Sequence, residues 1–192
     1  YLEKVHGQGV RHVEIFFDPQ AHMERGVSFD TALAGIKSAL DDAGKHMEMT
    51  SKLIMCFLRH LDEDDAFKAL ECACQHKEHI YAVGLDSSEA GRPPELFSRV
   101  FKEAREQGFK AVAHAGEEGP AAYVETALDD LKVNRVDHGN RAFDDPALIA
   151  RMVREQMPLT MCPLSNLRLK GISDLRQHPI KKALDAGLIA TV

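Results

Sequence analysis

The feature that most limits what this chain can fold into is a repeating beat: a short apolar, β-branched run, then a longer amphipathic segment, then another short run, from one end to the other. Runs so short and so evenly apolar fit strands covered on both faces, and the long segments between them are what crossovers between parallel strands require. Seven strands are predicted, at Val10–Phe17, Lys52–Leu58, Tyr81–Asp86, Lys110–His114, Arg135–His138, Leu159–Cys162 and Leu188–Val192. Helices are predicted between them at Ser28–Lys45, Glu63–His76, Pro94–Glu106, Ala121–Leu131, Pro146–Glu155 and Pro179–Asp185. Several open on Pro, Ser or Asp, residues suited to a helix start. No Pro/Gly/Ser-rich linker interrupts the beat, so residues 1–192 are expected to form one domain.

Successive parallel strands suit either an open doubly wound sheet or a barrel, and periodicity does not choose between them. The first strand-to-helix turn carries no G-x-G-x-x-G, which weakens the dinucleotide-binding alternative. The side chains with reactive chemistry fall at the C-terminal ends of several different strands, where a barrel builds its active site. The expected fold class is therefore α/β, a (β/α)8 TIM barrel. The chain opens at Tyr1 without an initiator Met and closes at Val192 inside a predicted strand, so a barrel cut at both ends is expected, without its first strand and its C-terminal end.

Composition narrows the function. At 44% hydrophobic the chain can bury a core, and its net charge of -6 argues against a nucleic-acid partner, which needs a basic stripe. No apolar run is long enough to span a membrane and nothing resembles a signal peptide. Four scattered cysteines, Cys56, Cys72, Cys74 and Cys162, make no disulfide framework, and free thiols in a reducing cytoplasm are expected. Cys72 and Cys74, two apart on a predicted helix, point to different faces and do not form a metal pair.

The strongest local signal is Ala113-His114-Ala115-Gly116-Glu117-Glu118-Gly119, a histidine closing a strand with a carboxylate three residues on. Neutral imidazole is a common zinc ligand, and a nearby carboxylate can carry protons for metal-assisted hydrolysis. A strand-end histidine hydrogen-bonded to its loop is the plainer alternative. Arg135-Val136-Asp137-His138-Gly139 puts a second histidine at the same level on the next strand. Met161-Cys162-Pro163-Leu164-Ser165-Asn166 ends the following strand in a polar loop, and Gly84-Leu85-Asp86-Ser87-Ser88-Glu89-Ala90-Gly91 ends an earlier one. His60, His76, His79 and His178 are read as solvated or capping, and the Asp62–Asp65 run as a helix N-terminal charge cluster.

As a set, His-Ala-Gly-Glu, then Asp-His-Gly about 20 residues later, then Cys-Pro-Leu-Ser-Asn, resembles the adenosine and adenine deaminase family of metal-dependent amidohydrolases over essentially the whole chain. Phe16-Phe17-Asp18-Pro19-Gln20 and Asp86-Ser87-Ser88-Glu89 look like the adenine deaminase branch. The resemblance implies a zinc-dependent hydrolase converting adenine to hypoxanthine and ammonia in purine salvage, with a small purine base as its partner. By the same resemblance His114 is a zinc ligand, Glu117 donates a proton to purine N1, and His138 orients or deprotonates the attacking water. Asp86, Ser88, Glu89 and Gly116 would line the substrate site. Glu89 in particular would hydrogen-bond a ring N–H of the free base and crowd out a ribose. The family's remaining zinc ligands, a His-x-His pair and an aspartate, have no counterpart here, and His6, His12 and His22 do not match the pair. The 192 residues alone are therefore not expected to hold catalytic zinc, since one histidine falls short of three protein ligands.

Two other readings stay open. One is a deaminase of adenosine or another 6-aminopurine; the other is a barrel without catalysis that binds a purine or a protein. The unrelated zinc deaminases that act on nucleic acid need H-x-E with P-C-x-x-C, and the second half is missing here.

Overall fold

The computed structural model describes all 192 residues, Tyr1–Val192. Its strands are β1 (His12–Phe17), β2 (Thr50–Leu58), β3 (Ala82–Asp86), β4 (Lys110–Ala115), β5 (Arg135–His138), β6 (Leu159–Thr160) and β7 (Ala190–Thr191). They form one seven-stranded sheet in chain order, with every neighbouring pair parallel. That order settles what periodicity left open, because a doubly wound sheet reverses at a switch point whereas a barrel adds each strand beside the last. The sheet is curled. Arg135 of β5 reaches across the concave side to pair with Glu14 of β1, and Phe16 of β1 meets the His114 ring of β4 edge-on at 5.8 Å.

The helices are α1 (Leu2–Gly7), α2 (Pro19–Met23), α3 (Phe29–Met47), α4 (Glu63–Cys74), α5 (Ser98–Glu106), α6 (Ala121–Asp129), α7 (Pro146–Arg154), α8 (Pro163–Arg168) and α9 (Ile180–Asp185). The Ser28 hydroxyl accepts from the Thr31 N–H to start α3, and the Asp145 carboxylate accepts from Ala147 and Leu148 to start α7 ahead of Pro146 at its first turn. The segment expected as one helix over Pro94–Glu106 is instead a 3₁₀ turn, Pro94–Phe97, followed by α5. The strands expected at Leu159–Cys162 and Leu188–Val192 are shorter, because Pro163 opens α8 and Gly187 turns the chain with a φ of 84°. No helix is long and apolar enough to cross a membrane.

Alternation along the strands divides the apolar residues between two faces. Met55, Phe57, Val83, Leu85, Ala111, Ala113 and Val136 join the helices in the main core, 34 buried residues including Phe97, Phe101 and Leu131. Ile54, Cys56, Ala82 and Val112 form a second, small cluster with Phe16 inside the curl. Strands buried on both faces explain why their sequences read as continuous apolar runs, and at about 25 cal/mol per Å² the outer layer supplies most of the hydrophobic stabilisation. The strand C-termini all open onto one rim of the curl, as parallel pairing requires.

Candidate active site

His114 and His138 sit side by side on that rim because β4 and β5 run in register, with His114 opposite Asp137 and Ala115 opposite His138. Their rings meet edge-on at 4.6 Å between centroids. Glu117 joins them, so that one ligand atom from each of the three residues lies within 4.8 Å of the others. The backbone turns sharply at both strand ends: Gly116 has a φ of 71°, His138 of 69° and Gly139 of 66°. A Cβ at Gly116 would also meet the Val124 side chain at 2.8 Å. Glycine is therefore required there on two grounds, backbone angle and space.

The loop after His114 is held from beneath by Glu89. One of its carboxylate oxygens accepts from Gly116 N–H at 2.7 Å, and the other from Glu117, Glu118 and Gly119 at 2.8, 2.8 and 3.0 Å. Arg59, entirely buried, donates to the His114 carbonyl at 2.8 Å and to the Arg92 carbonyl at 3.0 and 2.7 Å. Burial pulls the Arg59 pKa down while Glu89, Asp86 and Glu118 push it up, so a buried cation is matched by surrounding carboxylates.

Asn166, also fully buried, lies between Glu117 and His138. Its amide nitrogen is 3.0 Å from Glu117 Oε1 and 3.0 Å from His138 Nδ1, and its oxygen is 3.1 Å from His178 Nε2. Burial raises the Glu117 pKa to about 7, with help from the Glu89 and Glu118 charges and against the Asn166 hydrogen bond. Burial lowers His114 to about 3, with His138 and Arg59 adding to it, and lowers His138 to about 4. The arrangement is thus a carboxyl that keeps its proton near neutrality beside two imidazoles that stay neutral, a division suited to acid–base chemistry. Two neutral imidazoles and a carboxylate are also the nitrogen and oxygen donors that zinc takes.

The structure brings His114, Glu117 and His138 together as the sequence suggests, and turns Glu89 and Gly116 toward the loop that follows His114. Glu89 is 1% exposed with both oxygens occupied by backbone N–H groups, so its carboxylate faces the loop and not an open pocket. Gly116 has its N–H on Glu89 and its carbonyl on Arg141. Ser88 is exposed. Three residues around the site carry little signal in the sequence: Arg59, because an arginine after a strand signals nothing by itself; His178, because it adjoins a helix-opening proline; and Asn166, which reads only as part of a polar loop.

Asp86 is buried beside Asp18, and burial, then Asp18, lifts its carboxyl to about 8. Between its ordinary pKa of about 3.9 and that raised value the folded state binds more protons than the unfolded one, so this group makes stability fall as pH rises through that window. Asp86→Asn has no charge to bury. Its Tm is expected to match the parent near pH ~4 and to exceed it near pH ~9, as measured by thermal melts; an equal shift at both ends would exclude ionisation as the cause.

A family model described as adenosine deaminase matches residues 1–192, and the chain belongs to that family. Among individual relatives it is 58% identical to an adenine deaminase of Acinetobacter baylyi and 55% identical to one of Cupriavidus necator, in each case over all 192 residues. It spans 58% and 55% of those two proteins. It superposes on the crystal structure of adenine deaminase from Arthrobacter aurescens with a TM-score of 0.97 at 45% identity, covering 100% of this chain and 59% of that one. An amidohydrolase from Burkholderia ambifaria, solved with bound Zn, gives 0.92 at 34% identity, covering 99% of this chain and 54% of its own.

Proposed function

We propose that the protein is a zinc-dependent hydrolytic deaminase converting adenine to hypoxanthine and ammonia, and that this chain, as one barrel domain, carries its proton-transfer residues. The observation that carries the reaction class is Glu117, a carboxyl holding its proton to about pH 7 next to two neutral histidines. The substrate assignment is supported by the adenine deaminase relatives, alike along the whole chain. Net charge of -6 favours a small molecule over a nucleic acid, and four free thiols fit a cytoplasmic, purine-salvage setting.

His114 would hold a single zinc ion, with His138 and Glu117 within reach of it. Zinc, when bound, supplies the Lewis acidity that makes a hydrolytic water available near neutral pH. Glu117 gives its proton to purine N1, which draws electron density from C6 and opens that carbon to attack. His138, neutral and fixed by Asn166, orients or deprotonates the attacking water. Asp86 and Ser88 at the end of β3 would face the base, whereas Glu89 and Gly116 act one step back, by shaping the loop that carries Glu117.

The test is ammonia release by the full-length, zinc-loaded protein offered adenine and adenosine separately at equal concentration. Release from adenine, little from adenosine, and loss on chelation are expected. Release from adenosine alone would overturn the substrate, and silence with both would overturn the reaction.

A further inference from the structure

His178 lies outside the site but contacts Asn166, which touches both Glu117 and His138. The Ile180 backbone N–H donates to His178 Nδ1 at 3.2 Å. A nitrogen that accepts carries no proton, so the His178 ring is neutral with its proton on Nε2. That N–H can only donate, and the atom 3.1 Å away is Asn166 Oδ1. The Asn166 amide is thereby denied its alternative orientation, with O and N exchanged, and must turn its NH₂ group toward Glu117 and His138. His138 Nδ1 then accepts a hydrogen bond from the Asn166 NH₂, which leaves the His138 proton on Nε2. Every member is buried: Asn166 is 0% exposed, His138 4% and His178 6%.

We propose that His178 is a positioning residue that, through Asn166, holds His138 in its Nε2–H tautomer and keeps a hydrogen-bond donor on Glu117. This rests on the roles given above to Glu117 and His138, and it decides between the two roles open to His138. With its proton on Nε2, that ring meets the attacking water as a hydrogen-bond donor that orients it, and not as the base that deprotonates it. Were the amide reversed, its oxygen would face His138, which would have to move its proton to Nδ1 to donate to it.

Two measurements on the full-length, metal-loaded protein test this. Nitrogen-15 NMR of the histidine rings at neutral pH is expected to give Nε2–H tautomers for His178 and His138; an Nδ1–H or doubly protonated His178 would overturn the proposal. His178→Phe is expected to lower kcat about 10–100-fold with KM within about twofold, as loss of a supporting partner does. His178→Gln, which can still donate to Asn166, should recover most of that loss. A folded His178→Phe with parental kcat, or a His178→Gln no better than the Phe variant, would equally overturn it. Absence of any deamination in the parent would sink the proposed reaction and leave the tautomer measurement to decide this inference alone.

Discussion

Glu117→Gln is expected to lower kcat for adenine by about 10³-fold while leaving the fold intact, since a positioned general acid typically contributes 10²–10⁴-fold. Glutamine keeps the shape and keeps an oxygen for Asn166, so the buried contact survives. What it lacks is a proton to give. The same reasoning sets the pH profile. Burial and two neighbouring carboxylates hold the Glu117 proton to about 7, so activity of the parent should decline as pH rises above that value. The variant should show no such limb in its residual rate. Rates measured between about pH 5 and 9, with Tm as a check on folding, decide the matter; a variant keeping a tenth of parental kcat would remove Glu117 from the acid role.

The second large effect concerns stability. Glu89→Ala leaves four successive backbone N–H groups, Gly116 to Glu118 and Gly119, without the carboxylate that now receives them. Each hydrogen bond to a charged group contributes about 1.5–3 kcal/mol, and even with partial relaxation a loss of at least about 3 kcal/mol is expected. For a chain of this size that lowers Tm by about 6–12 °C. Glu89→Gln should also destabilise, because its NH₂ would face N–H donors wherever it points. A Tm within about 1 °C of the parent would show that the loop holds itself. Because the carboxylate is engaged in this way, Glu89→Gly is expected to loosen the loop and not to open room for a nucleoside.

The architecture and the meeting of His114, Glu117 and His138 were legible because each is written locally. β5 begins at Arg135 and ends at His138 as read, and His114 and His138 announce themselves by closing adjacent strands. The three helices that the sequence does not signal, α1, α2 and α8, are five or six residues long, too short for a 3.6-residue period to register; the equally short α9 is legible only because it closes the regular alternation before β7. The support around the site was illegible for a different reason. Glu89 lies 27 residues from Gly116 in sequence, Asn166 49 from Glu117, and Arg59 55 from His114. Nothing in the residues near any of these pairs indicates the other partner; only the curl of the sheet brings them together. His178 lies only 12 residues from Asn166, but a histidine before a proline reads as a cap until its amide partner is seen.

The left-handed backbone at His138 implies a conflict between durability and chemistry at one position. A side chain at a φ of 69° carries roughly 1–3 kcal/mol of strain, and glycine or asparagine would relieve much of it. A protein selected only to resist heat would therefore gain by discarding this imidazole. Under the role proposed for His138, attempts to harden the protein by stability-guided substitution should leave that histidine untouched, because the gain in robustness there would come at the expense of turnover.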